Sequence, residues 1–171
     1  MKIIQIDTRQ QMNRKHHLIK EKYFECQGYK IVKSKMLVGD YCLPNNVNVV
    51  VDTKKDLSEL YGNLIQDHER FRAECDLAKQ CGIHLHVIVE SAEGFRKLED
   101  IKRWKNPQYY RWLKTKRLAG KMGKPIPKPP VSNVQLLKIM HSMSRDHGVT
   151  FEIVPQNECG KRILEILEAA R

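Results

Sequence analysis

Apolar positions along the chain switch between a two-residue and a helical period, and the switches fall at glycine, proline and asparagine. Ile3 to Ile6 reads as a short buried strand, and the stretch up to about Cys26 is helical in composition and stops at Gly28. Extended segments follow near Tyr29 to Val32 and Met36 to Leu43. Pro44-Asn45-Asn46 supplies turn chemistry, and Val47 to Val51 is β-branched enough for a central strand. Asp56-Leu57-Ser58-Glu59 carries an N-cap with an acid three residues on, and Leu57, Leu60, Tyr61, Leu64 and Ile65 recur at helical spacing behind it. A second helical run through Phe71, Cys75 and Ala78 stops at Gly82, and Ile83 to Val89 reads as another strand. Ser132 to Gln135 caps a helix bearing Leu136, Ile139, Met140 and Met143 that ends at Gly148. Val149 to Val154 is a last strand, and Gly160 to Ala170 a last helix with Ile163, Leu164 and Leu167 on one face. Strands alternating with helices, with an early hairpin among them, predict an α/β fold with a mixed central sheet flanked by helices.

The 171 residues suit a single domain with its own core. No apolar run approaches the roughly 20 residues of a membrane span, and Met1 to Asp7 reads as a strand rather than a secretory signal. The expectation is a chain with no membrane partner. Five cysteines form no C-x-x-C pair and no zinc spacing, which suits buried, reduced thiols in an intracellular, cytoplasmic setting, or a nuclear one in a eukaryote.

Charge divides the chain further. The net charge is +11, yet Ile101 to Pro130 alone holds ten basic residues and no acid, so the rest is nearly neutral. Interleaved with Lys102, Arg103, Lys105, Arg111, Lys114, Lys116 and Arg117 are Trp104, Tyr109, Tyr110 and Trp112, and four of the seven prolines crowd between Pro125 and Pro130. Cations that neutralise phosphates beside rings that stack on bases suit a nucleic-acid surface; a solvated helix followed by a linker is the plainer alternative. The expected organisation is a core over 1–100, a basic, aromatic and Pro-rich insertion over 101–131, and a helix-strand-helix over 132–171 that completes the fold.

The hairpin carries the sharpest chemistry. With its turn centred on Asn46, antiparallel pairing sets Asp40 opposite Asp52, and Lys54 projects from the same face as Asp52. Two carboxylates about 5 Å apart repel unless a cation or proton sits between them. Oxygen ligands beside an ammonium suit a hard divalent ion and phosphodiester hydrolysis. Charges at strand ends are also common for no reason but solvation.

The strings GDYCLPNNVNVVVDTKK and RFRAECDLAKQCGIHLHVIVE resemble the nuclease domain of the XPF family of structure-specific DNA endonucleases, within the restriction-endonuclease-like PD-(D/E)xK group. Ile6-Asp7-Thr8-Arg9-Gln10 is similar to the family's first-strand Asp-x-Arg-Glu. The resemblance covers roughly residues 3 to 90. It implies a restriction-endonuclease-like core and Mg²⁺, with Mn²⁺ able to substitute, held by Asp40, Asp52 and the Thr53 carbonyl, with Lys54 positioning the attacking water. Arg70 and Arg72 become phosphate contacts, and Asp7, Arg9, Glu59 and Glu90 further candidates. The implied partner is DNA, branched or flapped, and a homodimer is compatible with it. Asp52 stands where the motif has Glu, Thr53 where it has Arg, Gln10 where it has Glu, and Ser58 where a further acid is usual; Glu59 supplies that acid only after a one-residue shift, and it also serves the cap. The tandem helix-hairpin-helix module of many members has no room within these residues. The competing function is a non-catalytic nucleic-acid-binding module with a decayed motif. His84 and His86 share a strand face without an evident third metal ligand, and no zinc-protease, Walker-type or dinucleotide-binding motif is present.

Overall fold

The computed structural model describes residues 2–9 and 15–169. Gln10, where the first-strand motif departs from its family pattern, lies outside them. The described chain forms one six-stranded sheet in the order β2-β1-β3-β4-β5-β6. Its strands are β1 (Lys2–Asp7), β2 (Tyr29–Ser34), β3 (Tyr41–Leu43), β4 (Asn46–Lys54), β5 (His84–Ser91) and β6 (Thr150–Pro155). β1 runs parallel to β2 and antiparallel to β3, β3 pairs antiparallel with β4, and β4, β5 and β6 run parallel. The mixed sheet is the one expected.

Helices cover both faces. α1 (Lys15–Cys26) and α6 (Cys159–Ala169) pack on one, where Phe24, Ile163 and Leu167 meet Ile6, Val51 and Ile88. α2 (Leu57–Tyr61), α3 (His68–Gln80) and α5 (Asn133–His147) cover the other, where Leu60, Phe71 and Met140 meet Val50, Val87 and Ile153. β4 alternates between the two layers, so Val50, Asp52 and Lys54 face α2 and α3 while Val51 and Thr53 face α1 and α6. α4 (Pro107–Lys121) follows a 3₁₀ turn (Leu98–Arg103) and buries only Ala119.

The structure alters three sequence expectations. The extended segment at 36–43 is a strand only over Tyr41–Leu43. Before it, Gly39 takes a positive φ of 63°, and the Asp40 N–H donates to the Val51 carbonyl at 2.9 Å, so the chain enters the strand through a turn. Tyr41 faces Val51 and Cys42 faces Val50, the register expected, but a bulge then pairs Leu43 with Asn46 and leaves Pro44-Asn45 as the connection. The helix begun at Leu57 widens into a π turn over Gly62–Gln66, whose Asp67 N–H reaches back to the Gly62 carbonyl at 2.9 Å. Such wide turns recur at functional sites, and this one turns Asn63 toward a cavity. Finally, Cys26 and Cys81 are exposed, while Cys42, Cys75 and Cys159 are buried; all five are free thiols.

Gly39 is required sterically as well as by its backbone angle. A Cβ there would lie 2.5 Å from Val50 Cγ1 and 3.3 Å from the Val51 carbonyl oxygen. At Gly148, which ends α5 with φ 71°, a Cβ meets nothing within 4 Å. Gly148→Ala is expected to cost about 1 kcal/mol of left-handed strain, and Gly39→Ala about 2–3 kcal/mol because the clash adds to it. Chemical denaturation of the two variants checks the order.

Candidate functional site

The ends of β1 and β4, the turn before β3 and the first turns of α2 and α3 surround an open cavity of about 450 Å³. Its walls include Asp7, Arg9, Asp40, Asp52, Thr53, Lys54, Glu59, Arg70 and Glu74. Eight of these are candidates from the sequence; the ninth, Glu74, lies in the RFRAECDLAK segment.

Asp52 and Lys54, two residues apart on one face of β4, meet at 2.6 Å between Lys54 Nζ and Asp52 Oδ2. Both are buried, and the Phe71 ring lies 5.6 Å below the ammonium. Asp40 enters from the neighbouring turn. Its Oδ2 accepts from the Thr53 N–H and from the Thr53 hydroxyl, each at 2.8 Å. Thr53, a departure from the family pattern, therefore clamps one of the two paired carboxylates. Glu74 Oε1 accepts from the Gly39 N–H at 3.1 Å and ties α3 to the same turn. Arg70 and Glu74 lie one helical turn apart on α3, beside the buried Phe71, Cys75 and Ala78 stripe. That spacing is the sequence signal by which Glu74 is recognisable.

Electrostatics give the cluster its character. Burial pushes the Asp52 carboxyl upward, Lys54 opposes that, and the nearby Asp40 and Glu74 carboxylates add to it, leaving Asp52 at about 7. Burial alone would lower Lys54, yet Asp52, Asp40 and Glu74 together raise it above its ordinary value. Asp52 is raised chiefly by burial and Lys54 by the carboxylates around it, and because carboxylates outnumber the ammonium the site favours added positive charge.

Asp7 also lines the cavity, but its carboxylate is already engaged. It accepts from the Arg9 N–H at 2.6 Å, Arg9 Nε and Nη2 at 2.9 Å and the Met36 N–H at 2.7 Å. Burial works to raise it, and the hydrogen bonds from Arg9 and Met36 prevail and hold it below the usual carboxylate range. Arg9 Nη2 donates onward to the Met36 carbonyl at 3.1 Å, so this knot fastens the loop that carries Gly39 and Asp40. Asp56 caps α2 as expected, its Oδ1 accepting from the Glu59 N–H at 2.8 Å, but Glu59 Oε2 accepts from the Lys55 N–H at 2.9 Å rather than from the cap amide of a closed capping box. Glu59 lines the cavity at the same time.

Other candidates lie elsewhere. Glu90 projects to the α1 and α6 face, where it is buried in an ion pair with Lys20 and does not line the cavity. Strand alternation puts it opposite Lys54 in facing. Arg72 turns away to Asp76 at 3.7 Å, whereas Arg70 stays at the cavity rim. Lys102, Arg103, Lys105, Arg111, Lys114, Lys116 and Arg117 are exposed on the 3₁₀ turn, on α4 and on the link between them, and do not line this cavity. Trp104, read as a ring for stacking on bases, is buried against Tyr61 with 6.1 Å between ring centres, because Ile101 and Trp104 belong to the core. Trp112 donates from Nε1 to the Pro127 carbonyl at 2.8 Å and joins α4 to the Pro-rich return. His84 hydrogen-bonds to Thr150 Oγ1 at 2.9 Å.

Among the described residues no three His, Cys, Asp or Glu side chains gather into a metal cage. A Mg²⁺ ion needs less, because it keeps several waters and takes one or two carboxylates plus substrate oxygens. Asp40 and Asp52, which line the cavity with Thr53, have that chemistry, and the surplus negative charge fits a cation.

Residues 6–164 match the sequence model of the ERCC4 domain. No curated protein sequence matches the chain significantly. Among solved structures, XPF from Aeropyrum pernix superimposes with a TM-score of 0.61 at 14% identity, over 98% of this chain and 64% of that one. XPF from Aeropyrum pernix in complex with DNA gives 0.60 at 13% identity, over 99% and 65%. The chain thus spans just under two thirds of the length of these structures and shares their fold.

The raised Asp52 carboxyl has a consequence for stability. A carboxyl near 7 in the folded chain and near about 4 when unfolded binds its proton more tightly folded, so its contribution falls as pH rises between those values. His86, lowered to about 4 by burial and by His84, slopes the opposite way below its unfolded value of about 6.5. Asp52→Asn removes the first slope only. In EDTA, its melting temperature minus that of the parent is expected to grow by several degrees from pH 5 to pH 8.

Proposed function

The chain belongs to the ERCC4 domain family, and on that premise we propose that it is a metal-dependent endonuclease hydrolysing DNA phosphodiester bonds in branched, flapped or otherwise structured DNA. One observation carries the reading: Asp40, Asp52 and Glu74 gather around the buried Lys54 ammonium in a cavity large enough for a phosphodiester. Such a cluster is costly to bury and serves no packing purpose that apolar residues would not serve better.

Mg²⁺, or Mn²⁺ in its place, would be held by Asp40, Asp52 and the Thr53 carbonyl, and when bound supplies polarisation of the phosphoryl oxygen and a water of lowered pKa. The chain's own residues do the rest. Lys54 keeps its proton because three carboxylates face it, so it donates a hydrogen bond to the attacking water and offsets charge developing on the phosphate. Thr53 fixes the Asp40 carboxylate through two hydrogen bonds, and the Asp7–Arg9 knot fastens the loop behind it. Arg70 at the rim is the cation placed to meet a neighbouring phosphate. Farther out, the basic residues of 101–131 hold the DNA backbone.

Labelled flap, fork and linear DNA incubated with the protein and Mg²⁺ is expected to be cut, with EDTA or Asp52→Asn abolishing the cut. Lys54→Met should slow it at least about 100-fold, the scale of losing one well-placed electrostatic group. Uncut DNA on every substrate would favour the decayed binding module. Replacing Arg111, Lys114, Lys116 and Arg117 by Gln tests the arm separately. The slope of log affinity against log salt is expected to flatten by about one unit per lost phosphate contact, and an unchanged slope would place the DNA elsewhere.

A further inference from the structure

A second concavity is lined by residues that Tyr61 of α2 touches. Glu59 and Asn63 face the carboxylate cavity, while Tyr61 between them packs on Trp104 and donates its hydroxyl to the Val131 carbonyl at 3.4 Å. Trp104 and Val131 line a groove of about 440 Å³ walled by Tyr109 and Tyr110 on one side and Pro129 and Pro130 on the other. Tyr109 and Tyr110 are 46% and 50% exposed. The groove continues along α4 past Tyr110, Leu113 and Leu118 into a further concavity of about 480 Å³. Tyr110, Leu113, Lys114, Arg117 and Leu118 share one helical face, and the nine residues from Tyr110 to Leu118 span about 12 Å.

Two features choose the occupant. The walls are rings and prolines, flat surfaces on which a planar base stacks. The rim is cationic at Lys105, Lys114 and Arg117, and no Asp or Glu lines either concavity. An apolar floor with a wholly positive rim complements a chain that alternates flat apolar rings with negative charges. We propose that this groove binds two or three unpaired nucleotides of single-stranded DNA, their bases against Tyr109, Tyr110 and the prolines and their phosphates on Lys105, Lys114 and Arg117. Resting on the DNA reading above, it refines it: α2 connects the two sites, because its Glu59 lines the carboxylate cavity while its Tyr61 packs on Trp104 and bonds to Val131 of the groove. A substrate with single-stranded DNA beside duplex DNA satisfies both sites at once.

Binding is measured by fluorescence anisotropy in EDTA, with a labelled 12-nucleotide single strand and a blunt hairpin of equal length. Tyr109→Ala with Tyr110→Ala is expected to weaken single-strand binding about 10- to 100-fold and hairpin binding less than about twofold, and the corresponding Phe pair to restore it. Single Tyr110→Ala leaves the Tyr109–Trp112 contact in place and should show the same preference loss at about tenfold, should the double variant unfold. Equal losses on both DNAs, or none, overturn the proposal. So does a Glu-rich peptide whose binding depends on the two tyrosines while single-strand binding does not. Because EDTA removes catalysis, a protein that never cuts DNA yet keeps this tyrosine-dependent preference overturns only the nuclease reading. One that cuts but binds both DNAs alike overturns only the groove.

Discussion

The structure turns on the burial of unlike charges at the end of a strand covered on both faces. β4 runs between two helical layers, so Asp52 and Lys54 leave water when the sheet is covered, and neither is tolerable there alone. Their contact offsets part of the desolvation cost, but removing either partner would strand the other. Burial pushes Asp52 upward and Asp40 and Glu74 add to that, while Asp52 first and then the same two carboxylates keep Lys54 protonated. Much of the surrounding architecture holds those two extra carboxylates in place. Gly39 permits the close turn, Thr53 fastens Asp40, Glu74 holds the Gly39 amide, and Asp7 with Arg9 anchors the loop.

The positive charge is kept apart from this cluster. Ten basic residues lie between Ile101 and Pro130, and those on α4 do not line the carboxylate cavity. Had they crowded into it, they would neutralise the field that favours a cation. The connection is mechanical instead: Ile101 and Trp104 are buried in the core, and Tyr61 bridges to Trp104 and Val131. An arm rooted in this way places its cations at a defined distance from the site without altering its charge balance.

What the sequence by itself determined is what depends on local periodicity and on short pairing distances. The strands and helices of the mixed sheet follow from apolar spacing, the start of α2 and both ends of α5 from their caps, and the approach of Asp40 to the end of β4 from pairing around one turn, although its carboxylate bonds Thr53. Lys54 on the Asp52 face follows from two-residue alternation. The tertiary structure alone decided which charges are already satisfied. Nothing local tells that Met36 closes on Asp7, that Thr53 takes up Asp40, or that Glu90 at the end of β5 is buried against Lys20 from α1 on the opposite face. Trp104 and Tyr109 sit in one basic, aromatic stretch, yet one is core and the other half exposed, because a 3₁₀ turn places Ile101 and Trp104 under α5 before the chain leaves the body. Periodicity reports which side of an element is apolar; whether a charged or aromatic side chain is spent on the fold or left for a ligand depends on partners brought from distant parts of the chain.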